Sequence, residues 1–214
     1  MKNIFYKSIL LVIISLSSTH LFSQAFEKGN INFDLGLGFG AYGTKVTYKD
    51  TKNNFEVSKT DGAASTIIPL SFEYGLSNKI GLGLQIGSSN YFIENKDSND
   101  VTESVKSIDF ALRVNFHLLQ AERNDLFIAL ALGGSSVNWT FKNTTETYSG
   151  SGAYFGLSLV DRIFFGEHVG IMFNLGYTGY NYNNMKTSSG NPILDNLTWS
   201  VKGVNFGTGL AVKF

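Results

Sequence analysis

The final eleven residues of the chain alternate strictly between two kinds of side chain. From Val204 to Phe214 the even positions are apolar or, at Thr208, β-branched, whereas the odd positions hold Asn, Gly, Ala and Lys. Successive side chains of a β-strand point to opposite faces, so this segment predicts a strand with one apolar face and one polar or small face. The apolar face ends in Phe214, and an aromatic side chain suits the boundary between lipid and water. The pattern is typical of a strand that faces lipid.

The N-terminus has the features of an export signal. Lys2 and Lys7 form a basic region, residues 9–16 form a short apolar core, and Ser23 and Ala25 fit the small residues around a cleavage site. The core is too short for a transmembrane helix. We predict a cleaved signal peptide over residues 1–25 and a barrel domain over residues 26–214, with cleavage after Ser23 as an open alternative.

The composition excludes several classes of function. There is no cysteine, which removes disulfides and zinc–thiolate sites. The formal net charge is zero, so nucleic acid is not an expected partner. Beyond the signal no apolar run approaches the ~20 residues of a spanning helix. If the exported chain is integral to a membrane, it is therefore expected to be a closed β-barrel.

About eight segments of the mature sequence alternate between apolar and small or polar residues, a period that favours strands over helices. They cover residues 31–42, 65–74, 80–90, 107–118, 126–137, 153–160, 169–177 and 204–214. Long connections are predicted at 43–64, 90–106, 138–152 and 181–199, and short ones at 75–79, 119–125 and 161–168. This rhythm predicts an all-β fold, an eight-stranded antiparallel transmembrane up-and-down β-barrel. Both mature termini are then expected in the periplasm.

The two faces of these strands differ in bulk. One face is almost uniformly Leu, Ile, Phe and Val, and the other is mostly Gly, Ser, Asn and Ala. Eight strands leave an interior only just wide enough for side chains, so the bulky face is predicted to contact lipid. Aromatic residues near the strand ends predict belts at the two membrane interfaces. The belt at the long connections would comprise Tyr42, Tyr91, Phe92, Trp139, Phe141, Tyr154, Tyr177, Tyr180, Tyr182 and Trp199.

Charged residues occur on the face predicted to line the lumen. They are Asp34, Glu73, Asp109, Arg113 and Lys213. Buried charges are tolerated when they are paired, so we predict a lumen charge network that plugs the barrel, in preference to a gate that passes solute.

The histidines do not favour catalysis. His117 and His168 are predicted near the periplasmic end, whereas barrel enzymes that modify lipid A act at the outer leaflet with a His and a Ser. No cluster of His, Asp or Glu has the spacing of metal ligands. We predict that the protein is not an enzyme and has no metal site and no cofactor.

With these features the chain resembles the small outer-membrane β-barrel proteins of Gram-negative bacteria, the OmpA/OmpX-like group. The resemblance implies a monomer in the outer membrane, in contact with lipid and lipopolysaccharide. It also implies that Leu210, Val212 and Phe214 form an assembly signal for the barrel-assembly machinery.

The resemblance leaves the role of the protein open. The favoured function is a structural or surface-interaction role with a closed, charge-plugged lumen. The alternatives are a narrow OmpW-like channel for small hydrophobic molecules and a soluble, exported, lipocalin-like carrier. The sequence does not identify a ligand of the long connections.

Overall fold

The computed structural model describes residues 24–50, 55–93, 102–141, 147–188 and 197–214. The predicted signal peptide lies outside these residues except for Gln24 and Ala25. Within the described part of the chain, no helix is long and apolar enough to cross a membrane. The strands are β1 (Ile31–Asp50), β2 (Phe55–Gly75), β3 (Ile80–Ile93), β4 (Thr102–Gln120), β5 (Asn124–Phe141), β6 (Thr147–Phe164), β7 (Val169–Thr187) and β8 (Leu197–Lys213).

Each strand pairs antiparallel with the next, and β8 returns to pair with β1. The ladder between β1 and β8 runs from Asn32 opposite Lys213 to Tyr48 opposite Leu197. The alternating C-terminal segment therefore closes the barrel and leaves no free sheet edge along this seam. The predicted eight-stranded antiparallel up-and-down barrel is confirmed.

The outward face carries the bulky apolar residues, as predicted. Leu112 is 61% exposed and Phe206 is 62% exposed, although both lie in the middle of paired strands. The inward positions of the same strands hold Ala111 and Arg113 on β4 and Asn205 on β8, all buried. A soluble carrier barrel has the opposite arrangement, with its large apolar side chains inside.

The strands extend further than the alternating apolar pattern predicted. β1 continues to Asp50 and β2 begins at Phe55, so the prediction of a long connection over 43–64 is wrong for the described residues. The other three predicted long connections are also partly strand. Backbone pairing continues where the outward residues become polar, as at Lys45, and the apolar pattern then ceases to mark the strand.

The two ends of the barrel differ. The turn end holds the short connections at 76–79, 121–123 and 165–168 together with Phe214, and the loop end is the opposite one. At the turn end Phe33 contacts Phe72 and Phe214 edge-on, with ring centroids 5.1 and 6.2 Å apart. Phe33 and Phe214 are exposed on the outer surface, where an aromatic belt at the turn end would lie.

Candidate functional site

Arg162 lies at the centre of the lumen near the turn end, on the inward face of β6. Its side chain has no exposed surface. The guanidinium donates from Nε to Asp34 Oδ1 (2.8 Å) and from Nη2 to Asp34 Oδ2 (2.7 Å), which is a bidentate pair. Nη1 donates to Glu73 Oε2 (2.7 Å) and to Asp125 Oδ2 (3.1 Å). One arginine therefore joins carboxylates from β1, β2 and β5.

His117 on β4 completes this group of charges. Its Nε2 lies 2.9 Å from Glu73 Oε1, and its Nδ1 lies 2.5 Å from Asp125 Oδ1. An ionised carboxylate can only accept hydrogen bonds, so with Glu73 and Asp125 both ionised each ring nitrogen of His117 donates to one of them. Asp34, Glu73, His117, Asp125 and Arg162 together are called the charge cluster below.

Every carboxylate oxygen of the charge cluster has a hydrogen-bond donor. The two oxygens of Asp34 bind Arg162, and Ser71 Oγ also donates to Oδ2 (2.9 Å). The oxygens of Glu73 and Asp125 are shared between Arg162 and His117. Removing charges from water is costly, and this complete set of partners is what makes their burial tolerable.

The structure brings together only part of the predicted lumen set. Asp34 and Glu73 belong to the charge cluster. Arg113 is buried close by, where its Nε donates to Asn115 Oδ1 (2.9 Å). The guanidinium carbons of Arg113 and Arg162 lie 5.5 and 4.4 Å from the ring centroid of Phe127, so the two arginines share one aromatic neighbour.

Asp109 is buried further towards the loop end and binds hydroxyl groups. Ser135 Oγ donates to Asp109 Oδ1 (2.5 Å), as does Ser107 Oγ (3.3 Å), and the Tyr180 hydroxyl donates to Oδ2 (3.2 Å). The interactions of this carboxylate are therefore with neutral donors.

Lys213 lies at the turn end, where its Nζ donates to the Gln24 carbonyl oxygen (3.2 Å) and lies 5.3 Å from the ring centroid of Phe164. It is paired in register with Asn32 on β1, two residues before Asp34.

The sequence pattern did not reveal Arg162 or Asp125 as members of the charge cluster. Both occur where the apolar alternation ends, inside the connections predicted at 161–168 and 119–125. The sequence did contain one signal, because both residues lie an even number of positions from a residue that points inward on the same strand. Counting by twos from inward Tyr154 reaches Arg162, and counting back from inward Phe127 reaches Asp125.

The loop-end half of the lumen is filled by aromatic rings. Tyr91 contacts Tyr42 and Trp199 edge-on, with ring centroids 5.8 and 5.5 Å apart. Trp199 also stacks on Tyr182 at 5.4 Å and packs against Trp139 at 5.4 Å. With Tyr154 and Tyr180 these rings make up the aromatic cluster: Tyr42, Tyr91, Trp139, Tyr154, Tyr180, Tyr182 and Trp199.

These seven residues were predicted to form the interfacial belt at the long connections, and for them the prediction is wrong. They are buried inside the barrel because they share the parity of the inward glycines and alanines of their strands. Phe92 and Tyr177 are 56% and 45% exposed and do lie on the outer surface.

A cavity of about 70 Å³ separates the two clusters. Arg113 borders it towards the turn end, and Tyr154 and Tyr180 border it towards the loop end. Gln85 also lines the cavity and donates from Nε2 to the Tyr154 hydroxyl (3.1 Å). The space exceeds the volume of about 10–15 Å³ that a single water molecule needs.

Of the predicted assembly residues, Leu210 and Val212 lie on the outer face of β8, and Phe214 directly follows the strand. Leu210 is 55% exposed, Phe214 is 67% exposed, and Val212 between them is half-buried. Phe214 is also fixed by the backbone, since its nitrogen donates to the Ile31 oxygen (2.9 Å) and its oxygen accepts from the Ile31 nitrogen (3.1 Å).

Comparison with known proteins identifies the architecture. No family model matches the sequence, and no curated protein matches it. The outer membrane protein OprG from Pseudomonas aeruginosa superposes with a TM-score of 0.59 at 12% identity, over 88% of this chain and 97% of that one. The fold is that of an outer-membrane β-barrel. At this identity the likeness extends to the fold alone.

Two further barrels are similar at lower scores. The outer membrane protease OmpT from Escherichia coli has a TM-score of 0.49 at 11% identity and covers 92% of this chain and 100% of its own. The N-terminal β-barrel domain of OprF from Pseudomonas aeruginosa has a TM-score of 0.45 at 13% identity, covering 88% and 99%.

Proposed function

We propose that the protein is an integral outer-membrane β-barrel with a closed lumen and a structural or surface-interaction role in the cell envelope, and that it acts as a monomer. The observation that carries the proposal is the filling of the lumen at two levels. The charge cluster occupies the turn-end half, and the aromatic cluster occupies the loop-end half.

The size of the remaining space supports a closed barrel. The cavity between the two clusters measures about 70 Å³ and is bordered by side chains of both halves of the lumen. An ion pathway needs a water-filled channel, which eight strands are generally too few to enclose. If the Arg162 side chain moved away, three buried carboxylates would lose the hydrogen bonds that it donates.

Recording in planar bilayers tests the closed lumen directly. We expect the reconstituted wild-type barrel to give no stable single-channel steps in symmetric KCl. A general porin reconstituted in the same way serves as the positive control for insertion. Stable, ion-selective conductance of the wild-type barrel would contradict the proposal.

We further propose that the turn end faces the periplasm and that the extended strands at the loop end reach the cell surface. Because the chain has no cysteine, single-cysteine variants can report orientation. Lys45 is exposed at the loop end, and Gly166 is exposed at the turn end, where an added Cβ meets no atom within 4 Å. A membrane-impermeant maleimide is expected to label K45C but not G166C on intact cells, and the reverse would contradict this orientation.

We propose that Leu210, Val212 and Phe214 are read by the barrel-assembly machinery. Phe165 provides a matched control, because it is an outward aromatic at the same end with 65% exposure against 67% for Phe214. Deletion of Phe214 is expected to lower the amount of heat-modifiable barrel in the outer membrane severalfold, and F165A much less. Equal yields of the two variants would contradict the assembly role.

We propose a function without enzymatic chemistry. A general base needs a free ring nitrogen within reach of a nucleophile. Both nitrogens of His117 are bound to carboxylates. His168 lies at the turn end, where its Nδ1 is 2.9 Å from the Lys213 carbonyl oxygen, and that end is the one we propose to face the periplasm, away from lipid A in the outer leaflet. Hydrolysis or acyl transfer on lipid A by the purified barrel, abolished by H117N or H168N, would contradict this part of the proposal.

One observation favours a second candidate, a narrow path for small hydrophobic molecules. The β1–β2 ladder pairs Leu35 with Leu70 and Gly38 with Ile67. Between these two pairs, at residues 36–37 and 68–69, the two strands keep their register but the ladder is interrupted. Pro69, which cannot donate a backbone hydrogen bond, lies in the interruption and also lines the cavity. If the barrel takes up small apolar molecules, this part of the wall is where one would enter.

Filling the cavity tests this candidate. Gly156 lines the cavity, and an added Cβ would lie 2.7 Å from the Tyr154 hydroxyl, so G156W would occupy the space. If the barrel transports small apolar molecules, G156W cells should take up a labelled alkane or arene more slowly than wild-type cells at equal barrel levels. Equal uptake by wild-type, G156W and deletion strains would exclude this path.

A further inference from the structure

Residues 24–30 fold across the turn end of the barrel and are called the cap segment. The Gly29 nitrogen donates to the Gly75 oxygen (2.8 Å), and the Gly75 nitrogen donates to the Asn30 oxygen (2.9 Å). The Ala25 nitrogen donates to the Ala121 oxygen (2.8 Å). The cap segment is therefore hydrogen-bonded both to the end of β2 and to the connection between β4 and β5.

Two residues of the cap segment belong to the interior. Ala25 and Phe26 both have 0% exposure. The Phe26 ring stacks on the His117 imidazole with centroids 3.4 Å apart and planes within 6°. Since His117 is held by Glu73 and Asp125, the cap segment covers the charge cluster from the turn end with an aromatic face.

Because Ala25 and Phe26 are buried, the two cleavage sites that the sequence allows would have different consequences for the folded barrel. Cleavage after Ala25 would convert the backbone nitrogen of Phe26 from a neutral amide into an ammonium group. That charge would lie beside the charge cluster, on a residue whose ring stacks on His117 and which has no solvent contact in the longer chain. A buried charge without a partner is strongly destabilising. The same cut would also remove the hydrogen bond from Ala25 to Ala121.

Cleavage after Ser23 has the opposite consequence. Gln24 is exposed, and its nitrogen lies 2.9 Å from Glu27 Oε1. An ammonium group at this nitrogen would lie in water with a carboxylate as its partner. The Gln24 oxygen would continue to accept the hydrogen bond from Lys213 Nζ.

We propose that the mature chain begins at Gln24, so that the bond between Ser23 and Gln24 is the processing site of a signal peptidase. Ser23 supplies the small residue that such an enzyme requires before the scissile bond. The small residues Ser23 and Ala25 fit a cut after Ala25 better, because a cut after Ser23 places Leu21 at the position that is usually small. The burial of Ala25 and Phe26 in the folded barrel is the observation that favours Gln24 as the first residue.

The N-terminus of the protein purified from outer membranes tests the proposal. Intact mass together with sequencing of the N-terminal peptide is expected to give Gln24 as the first residue, with or without cyclisation of that glutamine. A chain that begins at Phe26 would overturn the proposal, as would one that begins at any other residue.

The physical reason can be tested with refolded chains of defined length. A chain that begins at Phe26 is expected to unfold at lower urea than one that begins at Gln24, with a folding equilibrium constant at least about tenfold smaller. E27Q in the longer chain is the matched control, and its effect should be much smaller because the ion pair it removes is in water. Equal urea midpoints for the two lengths would overturn the argument from burial.

Discussion

The two halves of the lumen are filled by opposite chemistry. In the turn-end half, Arg162 and His117 supply donors to every oxygen of three carboxylates. In the loop-end half, seven aromatic rings pack against one another, and the buried Trp199 Nε1 has no hydrogen-bond partner among the described residues. The first half depends on complementary charges, and the second depends on ring area and shape.

The difference indicates how each half responds to damage. Removing one member of the charge cluster leaves other charges buried without partners, so the loss exceeds the worth of a single interaction. Removing one ring leaves a cavity, and the loss then scales with the volume that neighbours fail to fill. The charge cluster should therefore fail as a unit, and the aromatic cluster should weaken by degrees.

The largest effect is expected from R162A. Three carboxylates would lose their main donor, and the barrel should lose about 3–5 kcal/mol of stability. Urea unfolding in lipid vesicles, followed by the heat-dependent shift in gel mobility, measures the loss. R162K is the matched control and should be intermediate, because an ammonium keeps the charge but cannot bind Asp34 with a planar fork. An R162A barrel as stable as wild type would contradict the dependence on complementary charges.

A somewhat smaller effect is expected from W199A in the aromatic half. Trp199 is fully buried against Tyr182, Tyr91 and Trp139, and its truncation should cost about 3 kcal/mol through the cavity that remains. W199F, which keeps one ring, should lose less than half as much. The same urea assay applies, and an equal loss for both variants would show that ring area does not govern this half.

Neutralising several members at once should cost less than removing one. The triple variant R162M, D34N and E73Q removes one positive and two negative charges, and it should recover at least about half of the stability lost in R162A. Comparison of urea midpoints across wild type, R162A and the triple variant measures the coupling. A triple variant less stable than R162A would mean that shape, and not charge balance, holds the turn-end half together.

The smallest effect is expected from Y182F. The hydroxyl of Tyr182 lies 2.7 Å from Ser135 Oγ, while its ring contributes the stacking on Trp199. Loss of the hydroxyl alone should cost about 1 kcal/mol. Y182L, which removes the ring as well, is the comparison, and a larger loss in Y182F than in Y182L would contradict a cluster held by ring packing.

The architecture followed from the sequence because the side-chain period of two persists along each strand. This period distinguished outward Leu112 from inward Arg113 without any information on the strands that pair with β4. Parity also held the information that Tyr42 and Trp199 point inward, but their bulk and position near strand ends favoured an interfacial belt. Size and location outweighed parity in that prediction, and the structure follows parity.

The pairing within the charge cluster could not be predicted in the same way. Arg162 and Asp125 follow or precede the apolar segments, where a charged residue looks like part of a turn. Which carboxylates meet one arginine depends on strand tilt and register around the whole barrel. The sequence of a single strand does not contain that geometry. The charged residues predicted to point inward were therefore only partly the residues that bind one another.

The wide spacing of the charge cluster along the chain has a consequence for how the barrel forms. Arg162 and Asp34 are 128 positions apart, and the three carboxylates and His117 all precede the strand that carries Arg162. Any intermediate in which β6 has not yet docked therefore holds these acidic groups without Arg162, and water must supply their hydrogen bonds. We expect this half of the lumen to lose its water only once β6 is in place.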